Sequence, residues 1–349
     1  MSASPLEIAL YVNEVASEHP LYTTTLLAEE AVRRGHRVGY VEPSDFVYAA
    51  DGSLQTAIRW VPESFHDGTE MLEHLADAEA RRYALESLDL LLLRADPARE
   101  EERPWARDAG VLFGQMAAHR GVLVLNDPSG LTGALNKLYF QYFPEGVRPA
   151  TLITRDAERI RRFAEEGGDR VVIKPLQGSG GQSVFLLEPD DRANWNQMIE
   201  AVLRDGYVIA QEYLPAATEG DVRLFLLDGR PLVQEGEVAA FRRINESDDP
   251  RTNMHAGGEA VEAELRPRHL ELAELVRPRL RRDGMFFVGL DIAGDKILEI
   301  NVFSPGGLNS ATEILGIPFV ETIVDSLERK IAHRRRYPDQ FTNAQLATL

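Results

Sequence analysis

The chain has no cysteine, no long apolar run and a deficit of basic residues. Without cysteine it can form no disulfide, no thiolate–metal site and no cysteine nucleophile. Its longest apolar runs, such as residues 90–93, are far shorter than the ~20 residues that a membrane-spanning helix needs. Residues 1–30 lack the basic, apolar and cleavable pattern of a secretory leader. We therefore expect a cytoplasmic protein with no membrane partner.

The charge balance is strongly acidic, with 38 Lys and Arg against 56 Asp and Glu and a formal net charge of −18. A broad basic surface, which nucleic acid would require, is not expected on such a chain. Any site for an anion must therefore be local. At 349 residues the chain is also too long for one ordinary core, and two or three packed subdomains are expected.

The first part of the chain alternates strands and helices. Residues 8–12 and 38–41 read as strands, and residues 23–34 between them read as a helix that ends at Gly35. A second unit of the same kind has strands at 88–94 and 122–126 and a helix at 111–119. The pattern predicts a doubly wound α/β domain over residues 1–125.

The order changes to α+β with hairpins from about residue 150. We expect one subdomain over 126–210 and another over 211–335. The predicted elements are helices at 157–166, 195–204, 267–281 and 320–333, strands at 207–211, 222–227 and 232–238, and a hairpin at 286–302. Residues 336–349 are expected to be a frayed tail.

A glycine-rich stretch, VVIKPLQGSGGQSVFLLE at 171–188, lies between two predicted strands. It fits neither G-x-x-x-x-G-K-[ST] nor G-x-G-x-x-G, both of which open a helix. The run after the glycines is apolar and β-branched, so the stretch predicts a β-hairpin with a flexible tip. That tip suits a phosphate, with Lys174 beside it, although glycines at a hairpin tip are also ordinary turn formers.

A second hairpin, FFVGLDIAGDKILEINVFSPGG at 286–307, carries acidic residues inside apolar strands. Glu299 and Asn301 are two residues apart and share one face. A three-residue loop or a bulge would place Asp291 opposite Glu299, whereas a plain two-residue turn would place it among the leucines. Two carboxylates and an amide on one face suit Mg²⁺, with Mn²⁺ as the alternative ion.

The motifs together resemble the ATP-grasp ligases, and among them the bacterial glutathione synthetases. The resemblance covers nearly the whole chain and rests on six pieces in order: LLLLRADP at 90–97, NDPSGLTGALNKLYF at 126–140, VVIKPLQGSGGQSVF at 171–185, QEYLPA with GDVRLFLLDG at 211–229, RTNMHAGG at 251–258, and FVGLDIAGDKILEINVFSP at 287–305. It implies an ATP-grasp fold behind the N-terminal doubly wound domain, and an enzyme that uses ATP and Mg²⁺.

The same resemblance implies roles for single residues. Lys137 and Lys174 are expected at the ATP phosphates, with Gly178, Ser179, Gly180 and Gly181 as a lid. Gln211, Glu212, Tyr213 and Leu214 are expected at adenine, Asp221 at the ribose, and Asp291, Glu299 and Asn301 at Mg²⁺. Arg223, Asn253 and Lys174 are expected to act on the reacting carboxylate and phosphoryl group. The loops at 178–182 and 245–258 are expected to be weakly ordered without ligand.

The substrate half departs from the family pattern. Phe303 and Gly306 stand where glutathione synthetases usually have threonines. Arg94 is expected to contact substrate because it follows a strand of the doubly wound domain, with an arginine that only extends its head to solvent as the alternative. The other expected substrate contacts are Arg251, Ser304, Gly306 and Gly307. We interpret the arginines at 242–243 and at 334–336 as solvated surface residues.

Three functions remain open at this point. The first is an ATP-dependent carboxylate–amine ligase that makes glutathione or a close relative from a γ-glutamyl dipeptide and a small amino acid, here γ-glutamylcysteine and glycine. Another carboxylate is the alternative donor. The second is an ATP-grasp ligase for a different peptide or a specialised metabolite. The third is a nucleotide-binding regulatory protein without turnover. A homo-oligomer is expected.

Overall fold

The computed structural model describes residues 5–167, 170–177, 183–244 and 259–349. The expected contacts Gly178, Ser179, Gly180, Gly181, Arg251 and Asn253 lie outside the described residues. So do both loops that were expected to be weakly ordered.

The N-terminal domain contains a seven-stranded sheet with the strand order β3-β4-β2-β1-β6-β7, and β5 pairs with β4. Its strands are β1 (Glu7–Tyr11), β2 (Arg37–Val41), β3 (Phe46–Tyr48), β4 (Leu54–Trp60), β5 (Arg81–Ala84), β6 (Leu90–Leu93) and β7 (Leu123–Leu125). Its helices are α1 (Thr23–Arg33), α2 (Gly68–Asp77), α3 (Ala109–His119) and α4 (Pro128–Gly133). β2, β1, β6 and β7 run parallel, which confirms the doubly wound prediction.

The strand order of that sheet reverses between β1 and β6, which is its topological switch point. The chain passes from β1 through α1 to β2 on one side, and from β6 through α3 to β7 on the other. Right-handed crossovers that run in opposite directions place α1 and α3 on opposite faces of the sheet. A crevice therefore opens at the carboxyl ends of β1 and β6.

A smaller subdomain follows, with a four-stranded antiparallel sheet of order β10-β9-β11-β8. It comprises β8 (Thr151–Thr154), α5 (Ala157–Glu166), β9 (Val171–Pro175), β10 (Phe185–Leu187), α6 (Trp195–Leu203) and β11 (Val208–Glu212). β9 and β10 pair antiparallel, with Phe185 opposite Ile173. The predicted hairpin that carries Lys174 is confirmed.

The third sheet has the order β17-β16-β12-β18-β19, with β13 beside β12. The remaining elements are β12 (Asp221–Leu227), β13 (Arg230–Pro231), β14 (Val233–Gln234), β15 (Glu237–Val238), β16 (Ala240–Ile244), β17 (Glu259–Val261), α7 (Pro267–Arg282), β18 (Phe287–Ala293), β19 (Lys296–Asn301), α8 (Leu308–Leu315), α9 (Val320–Arg336) and α10 (Asn343–Ala347).

The predicted continuous strand at 232–238 is wrong. A tight turn at Glu235 and Gly236 divides it into the small hairpin β14–β15. Both turn residues have positive φ, 55° and 89°, which a two-residue hairpin turn of this hand requires.

The buried cores do not follow the division of the chain into three main sheets. Two large buried cores each contain side chains from both the N-terminal domain and the third sheet, for example Leu10 with Phe225 and Tyr11 with Leu290. The buried core of the small subdomain contains only its own residues, such as Trp195 and Ile199. The small subdomain therefore packs as a separate body on a shared base.

The expectation of a frayed tail is wrong. α9 continues to Arg336, and α10 packs with Leu346 and Ala347 buried. Arg335 pairs with Asp89 of the N-terminal domain, with 2.7 Å between Nη2 and Oδ1. The polar composition of the tail conceals the two apolar residues that anchor it. Within the described part of the chain, no helix combines the length and apolarity that crossing a membrane would take.

Candidate active site

A cleft lies where the three parts of the chain meet. Its polar lining includes Lys137, Lys174, Gln211, Glu299, Asn301 and Ser304, all of which were predicted site residues. Its apolar lining includes Leu135, Tyr139, Phe140, Ile209, Leu298, Val302 and Phe303. Apolar walls with a few convergent charges are typical of a small-molecule site.

Two lysines face this cleft from different segments. Lys174 on β9 donates from Nζ to Oε1 of Gln211 at 3.0 Å. Burial lowers the pKa of Lys174 to about 8, with Lys137 adding to the effect and Glu299 opposing it. Burial also lowers the pKa of Lys137, against the charges of Glu299 and Asp96. An anion in the cleft would favour the charged form of both lysines.

The hairpin β18–β19 places its acidic residues as predicted, by way of a bulge. Ala293 pairs with Lys296 across the two-residue turn Gly294–Asp295, and the register then shifts by one residue so that Asp291 lies opposite Glu299. Leu298 is the extra residue, and it lines the cleft instead of joining the apolar face. The bulge alternative is confirmed and the three-residue loop is wrong. The bulge is what turns Glu299 and Asn301 towards the cleft.

Asp291 belongs to a buried row of charges that crosses the third sheet. Arg223 lies opposite Asp291 in the strand pairing, and Arg243 lies opposite Asp221. Arg223 donates to both carboxylate oxygens of Asp291, and Nη2 of Arg243 lies 2.9 Å from Oδ2 of the same group. Burial alone would raise the pKa of Asp291, but the two adjacent guanidinium groups bring it well below its usual value.

Arg243 is a buried charged residue beside the candidate site that the sequence analysis missed. It was interpreted with Arg242 as a solvated pair, and that interpretation is wrong for Arg243, which is buried. Its Nε and Nη2 donate to Oδ1 and Oδ2 of Asp221 at 2.6 and 2.7 Å. Consecutive strand residues face opposite sides, so one of two adjacent arginines had to face inward. Asp221 thus lies in the buried row and outside the cleft lining, and its role at the ribose stays a prediction.

The side chains of Asp291, Glu299 and Asn301 fit a magnesium ion. They lie on one face, and Nδ2 of Asn301 donates to Oδ2 of Asp291 at 3.2 Å. Among the described residues no three His, Asp or Glu side chains gather as a metal site, so the third oxygen ligand would be the amide of Asn301. An ionised carboxylate, a second carboxylate and an amide are the hard donors that Mg²⁺ takes.

The segment after β19 is held by two arginines. Arg94 donates from Nη2 to the carbonyl of Pro305 at 3.0 Å, and Arg223 donates from Nη1 to the carbonyl of Gly306 at 3.0 Å. Arg94 also donates to Thr24, and burial lowers its pKa to about 10. Ser304 lines the cleft, and Gly307 with φ 90° precedes the first residue of α8. Four predicted substrate contacts, Arg94, Ser304, Gly306 and Gly307, therefore lie together.

The predicted hinge leaves the cleft after its first residue. Gln211 lines the cleft, whereas Glu212 accepts a hydrogen bond from the backbone of Ala150. Tyr213 lies near Arg170, 5.5 Å from its guanidinium carbon to the ring centre, and Leu214 precedes a short 3-10 helix. The hinge thus connects the small subdomain to β12, and adenine recognition by its residues stays a prediction.

The cleft also contains residues without a usable signal in the sequence. Asp96 faces Lys137, and the rings of Tyr139 and Phe140 form a wall. Tyr139 and Phe140 belong to a 3-10 segment at Lys137–Tyr142, in which the sequence analysis assigned a role only to Lys137. Aromatic residues in such segments are more often core, so only their position in the fold reveals them.

Two sequence-family matches cover most of the chain. Residues 6–132 match the N-terminal domain of prokaryotic glutathione synthetase. Residues 136–315 match the ATP-grasp domain of prokaryotic glutathione synthetase.

Bacterial glutathione synthetases are similar over nearly their full length. That of Agrobacterium fabrum is 34% identical over 311 residues, which is 88% of this chain and 91% of the relative. That of Yersinia pestis is 33% identical over 90% of this chain and 94% of the relative. That of Mesorhizobium japonicum is 32% identical over 93% of this chain and 99% of the relative.

Solved structures share the fold at lower identity. A D-cycloserine synthetase superposes with a TM-score of 0.60 at 15% identity, over 92% of this chain and 99% of that chain. D-alanine–D-alanine ligase from Bacillus anthracis does so with a TM-score of 0.55 at 12% identity, over 95% and 99%. A further ATP-grasp ligase, described in complex with Mg and ADP, has a TM-score of 0.57 at 18% identity, over 93% and 98%.

The two domain matches, the identities above 30% and the ATP-grasp architecture agree with the cleft geometry. The predicted ATP-grasp fold is confirmed, and of the three open functions the ATP-dependent ligase is favoured over the non-catalytic reading. The chain belongs to the prokaryotic glutathione synthetase family and is an ATP-dependent carbon–nitrogen ligase of the glutathione synthetase type.

Proposed function

We propose that this protein joins the free carboxylate of γ-glutamylcysteine to the amine of glycine, with cleavage of ATP to ADP and phosphate. The observation that carries the proposal is that Lys137, Lys174, Glu299 and Asn301 line one cleft in a chain of this family. The substrates are small molecules, for which the mixed apolar and charged lining is suited.

The lysines position the phosphates of ATP in the cleft. Each ammonium donates charge-assisted hydrogen bonds, which are worth about 1.5–3 kcal/mol each. Lys174 reaches the cleft already orientated by Gln211. Asp291, Glu299 and Asn301 would hold Mg²⁺, which when bound neutralises charge on the transferring phosphoryl group. The two arginines beside Asp291 keep that carboxylate ionised, and at least one of its oxygens would have to leave its arginine for Mg²⁺ to bind there.

The reaction then needs two positioned substrates. The donor carboxylate takes the terminal phosphoryl group of ATP and releases ADP, and the amine displaces phosphate from the acyl phosphate through a tetrahedral intermediate. Arg223 lies beside this path and stabilises the developing charge. No protein nucleophile takes part.

The acceptor is expected next to the segment 304–307. That segment ends at the N-terminus of α8, whose backbone amides favour an anion such as the carboxylate of an amino acid. Ser304 adds a hydroxyl at the edge of the cleft. A small amino acid fits there, and glycine is the proposed acceptor.

The test is ADP release across donor dipeptides and an amino-acid panel, with mass spectrometry of the product. We expect ADP release only when both a carboxylate donor and an amine are present, and a product with the mass of glutathione. A product formed only with another amine would favour the ligase for a different peptide. If no donor–acceptor pair causes ADP release above background, the proposal is overturned.

A matched pair of variants separates binding from turnover. Glu299→Gln is expected to lower kcat by about a hundredfold while ADP affinity in the absence of metal is retained. Lys174→Ala is expected to weaken ADP binding by about tenfold or more. Normal turnover and normal Mg²⁺ dependence in Glu299→Gln would contradict the metal assignment. In the wild-type protein, Mn²⁺ is expected to support turnover in place of Mg²⁺.

A further inference from the structure

The small subdomain is joined to the rest of the chain at one end of its sheet. The sheet begins at Thr151 and ends at Glu212, and Thr151 lies opposite Gln211 in the strand pairing. Pro175 of β9 lies opposite Val208, at the far end of the same sheet. A body that is connected at one end can rotate about that end unless its far end is also held.

Two segments of the base hold the far end. The carbonyl of Leu176 accepts a hydrogen bond from the backbone N–H of Lys137 at 3.2 Å. Beside it, Nη1 of Arg107 donates to Oε1 of Gln177 at 2.9 Å, and Nη2 donates to the carbonyl of Leu135 at 3.2 Å. The guanidinium group of Arg107 therefore bridges the two segments that carry the lysines of the cleft.

The backbone of Arg107 belongs to the base. It lies between Ala106, whose side chain is buried, and α3, which begins at Ala109. The N–H of Ala109 donates to the carbonyl of Ala106 at 3.2 Å. Arg107 lies outside the cleft lining, whereas Leu135 and Gln177 both line the cleft. Any effect of Arg107 on a ligand must therefore pass through the segments that it joins or through its charge alone.

The two lysines of the cleft repel each other. Lys137 and Lys174 line the same space, and the charge of Lys137 lowers the pKa of Lys174. The charge of Glu299 acts in the opposite sense on both lysines, but this carboxylate is also a proposed ligand of Mg²⁺. Two cations that bind neighbouring phosphates give a higher affinity when their spacing is fixed before the ligand arrives.

We propose that Arg107 is a positioning residue for the nucleotide, because it ties the far end of the small subdomain to the base and so fixes the spacing of Lys137 and Lys174. The inference rests on the proposed function, in which these lysines bind the phosphates of ATP. Without the tie, the small subdomain rotates away from the base for part of the time. The apparent Kd for nucleotide then rises in inverse proportion to the fraction of molecules with the cleft in place.

Calorimetry with ADP and Mg²⁺ measures the effect of the tie on affinity. Arg107→Met retains an apolar stem but neither hydrogen bond, and we expect the Kd for ADP to rise about fivefold. Arg107→Lys retains the charge but cannot donate to both partners, so most of the same loss is expected. Full affinity in Arg107→Lys would mean that the charge alone matters, and the proposal would be overturned. Arg82→Met, which removes an exposed charge elsewhere in the N-terminal domain, should bind ADP as the wild type does.

A double-mutant cycle tests the bridge itself. Gln177→Met removes the acceptor on the small subdomain, so in this background Arg107→Met should raise the Kd for ADP only about twofold. The same fivefold rise in both backgrounds would show that Arg107 does not act through Gln177, and the tie would be rejected.

The absence of cysteine allows the tie to be measured without nucleotide. Spin labels attached to the exposed positions of Glu73→Cys and Arg162→Cys report the separation of the N-terminal domain and the small subdomain. In electron paramagnetic resonance, we expect a narrow distance distribution with Arg107 intact and a broader one in Arg107→Met. Addition of ADP and Mg²⁺ should narrow the distribution of the variant again. Equal widths in the two nucleotide-free proteins would contradict the tie.

The outcomes distinguish the two proposals. If the wild-type protein binds ADP but makes no amide product, the proposed function is overturned, and the cycle and the label distances still decide on the tie. If the wild-type protein makes glutathione but Arg107→Met changes neither the Kd for ADP nor the label distances, only the role of Arg107 is overturned. If the wild-type protein does not bind ADP, both proposals are overturned.

Discussion

At the scale of single residues, the site depends on ionised groups that are partly or wholly buried. Lys174 and Asp291 are opposite cases. Burial favours the neutral form of Lys174 by lowering its pKa, whereas the neighbouring guanidinium groups favour the ionised form of Asp291 by lowering its pKa. The free protein therefore holds Asp291 as a carboxylate paired with two arginines, and it holds Lys174 as a lysine whose full charge depends on its ligand.

The lowered pKa of Lys174, about 8, predicts proton uptake on nucleotide binding. At pH 8 about half of these ammonium groups are deprotonated, and a bound phosphate raises the pKa again, so binding of ADP should take up about half a proton. Affinity should accordingly fall as the pH rises above 8. Calorimetry in two buffers with different ionisation enthalpies measures the uptake. The variant Lys174→Met should lose most of this proton uptake. An unchanged proton uptake in this variant would contradict the prediction.

Asp221 offers a second prediction at this scale, because both of its oxygens accept from Arg243. Asp221→Asn weakens that pair, and Arg243 in turn contacts Asp291. We expect the Mg²⁺ concentration for half-maximal turnover to rise about tenfold, with partial recovery in Asp221→Glu. The ratio of Kd values for ADP and 2′-deoxy-ADP should stay at its wild-type value.

A residue that binds the ribose would behave differently. If Asp221→Asn made the two nucleotides bind equally well, the ribose role implied by the family resemblance would be supported.

At the scale of elements, the active site depends on irregular pieces more than on regular ones. The bulge at Leu298 turns two predicted metal ligands towards the cleft, and the 3-10 segment at Lys137–Tyr142 brings a lysine and two aromatic rings to it. The regular strands provide the frame on which these irregularities are held.

The C-terminal helix α10 protects an edge of the first sheet. β7 is the last strand of that sheet, and Asn343 pairs with it as a further strand would. Oδ1 of Asn343 accepts from the N–H of Val124 at 2.9 Å, and Nδ2 donates to the carbonyl of Val124 at 2.7 Å. A free strand edge with unpaired backbone groups would otherwise invite pairing with another chain.

Removal of this amide should therefore lower stability. Asn343→Ala leaves the buried N–H and carbonyl of Val124 without their partner, and we expect a loss of about 2–3 kcal/mol in the free energy of unfolding. Urea titration should show a lower midpoint with an unchanged slope. Gln340→Ala, at an exposed neighbouring position, should stay within about 0.5 kcal/mol of the wild type. Equal effects of the two substitutions would contradict the assigned role of Asn343.

At the scale of the whole molecule, the shared cores join the N-terminal domain and the third sheet into one body. Polar contacts reinforce this join. Asn126 donates to the carbonyl of Phe287 and accepts from its N–H at 3.2 and 2.9 Å, while Arg94 reaches Pro305. The small subdomain has its own core and carries Lys174 to the cleft.

This division predicts two unfolding transitions. We expect the small subdomain to unfold first on heating and the shared base later, and ADP with Mg²⁺ to raise the first transition, because ligand binds only the folded cleft. Trp195 is buried in the small core and reports the first transition when Trp60 and Trp105 are replaced by phenylalanine.

Matched core substitutions test the assignment. Ile199→Ala should lower only the first transition and Leu10→Ala only the second, each by about 2–5 kcal/mol. A single transition that both substitutions shift equally would show that the protein unfolds as one unit.

Much of the site could be predicted because short patterns encode it locally. Alternation along 286–302 and the cost of burying Asp291 among leucines were enough to place it opposite Glu299, and glycines between two strands were enough to place a hairpin beside Lys174. The order of strands and helices over residues 1–125 likewise determined a parallel sheet, because a helix between strands permits parallel pairing. These are properties of neighbours in sequence.

Only the tertiary structure decided which charged residues are buried and which segments pack together. Arg242 and Arg243 look alike in sequence, and Arg243 is internal because β12 and β18 bring Asp221 and Asp291 to it. The tail is ordered because Asn343 meets β7 from 219 residues away. Phe303 lines the cleft because the segment after β19 lies against the N-terminal domain, where Arg94 donates to the carbonyl of Pro305. Such contacts join residues far apart in the chain, and no local pattern specifies them.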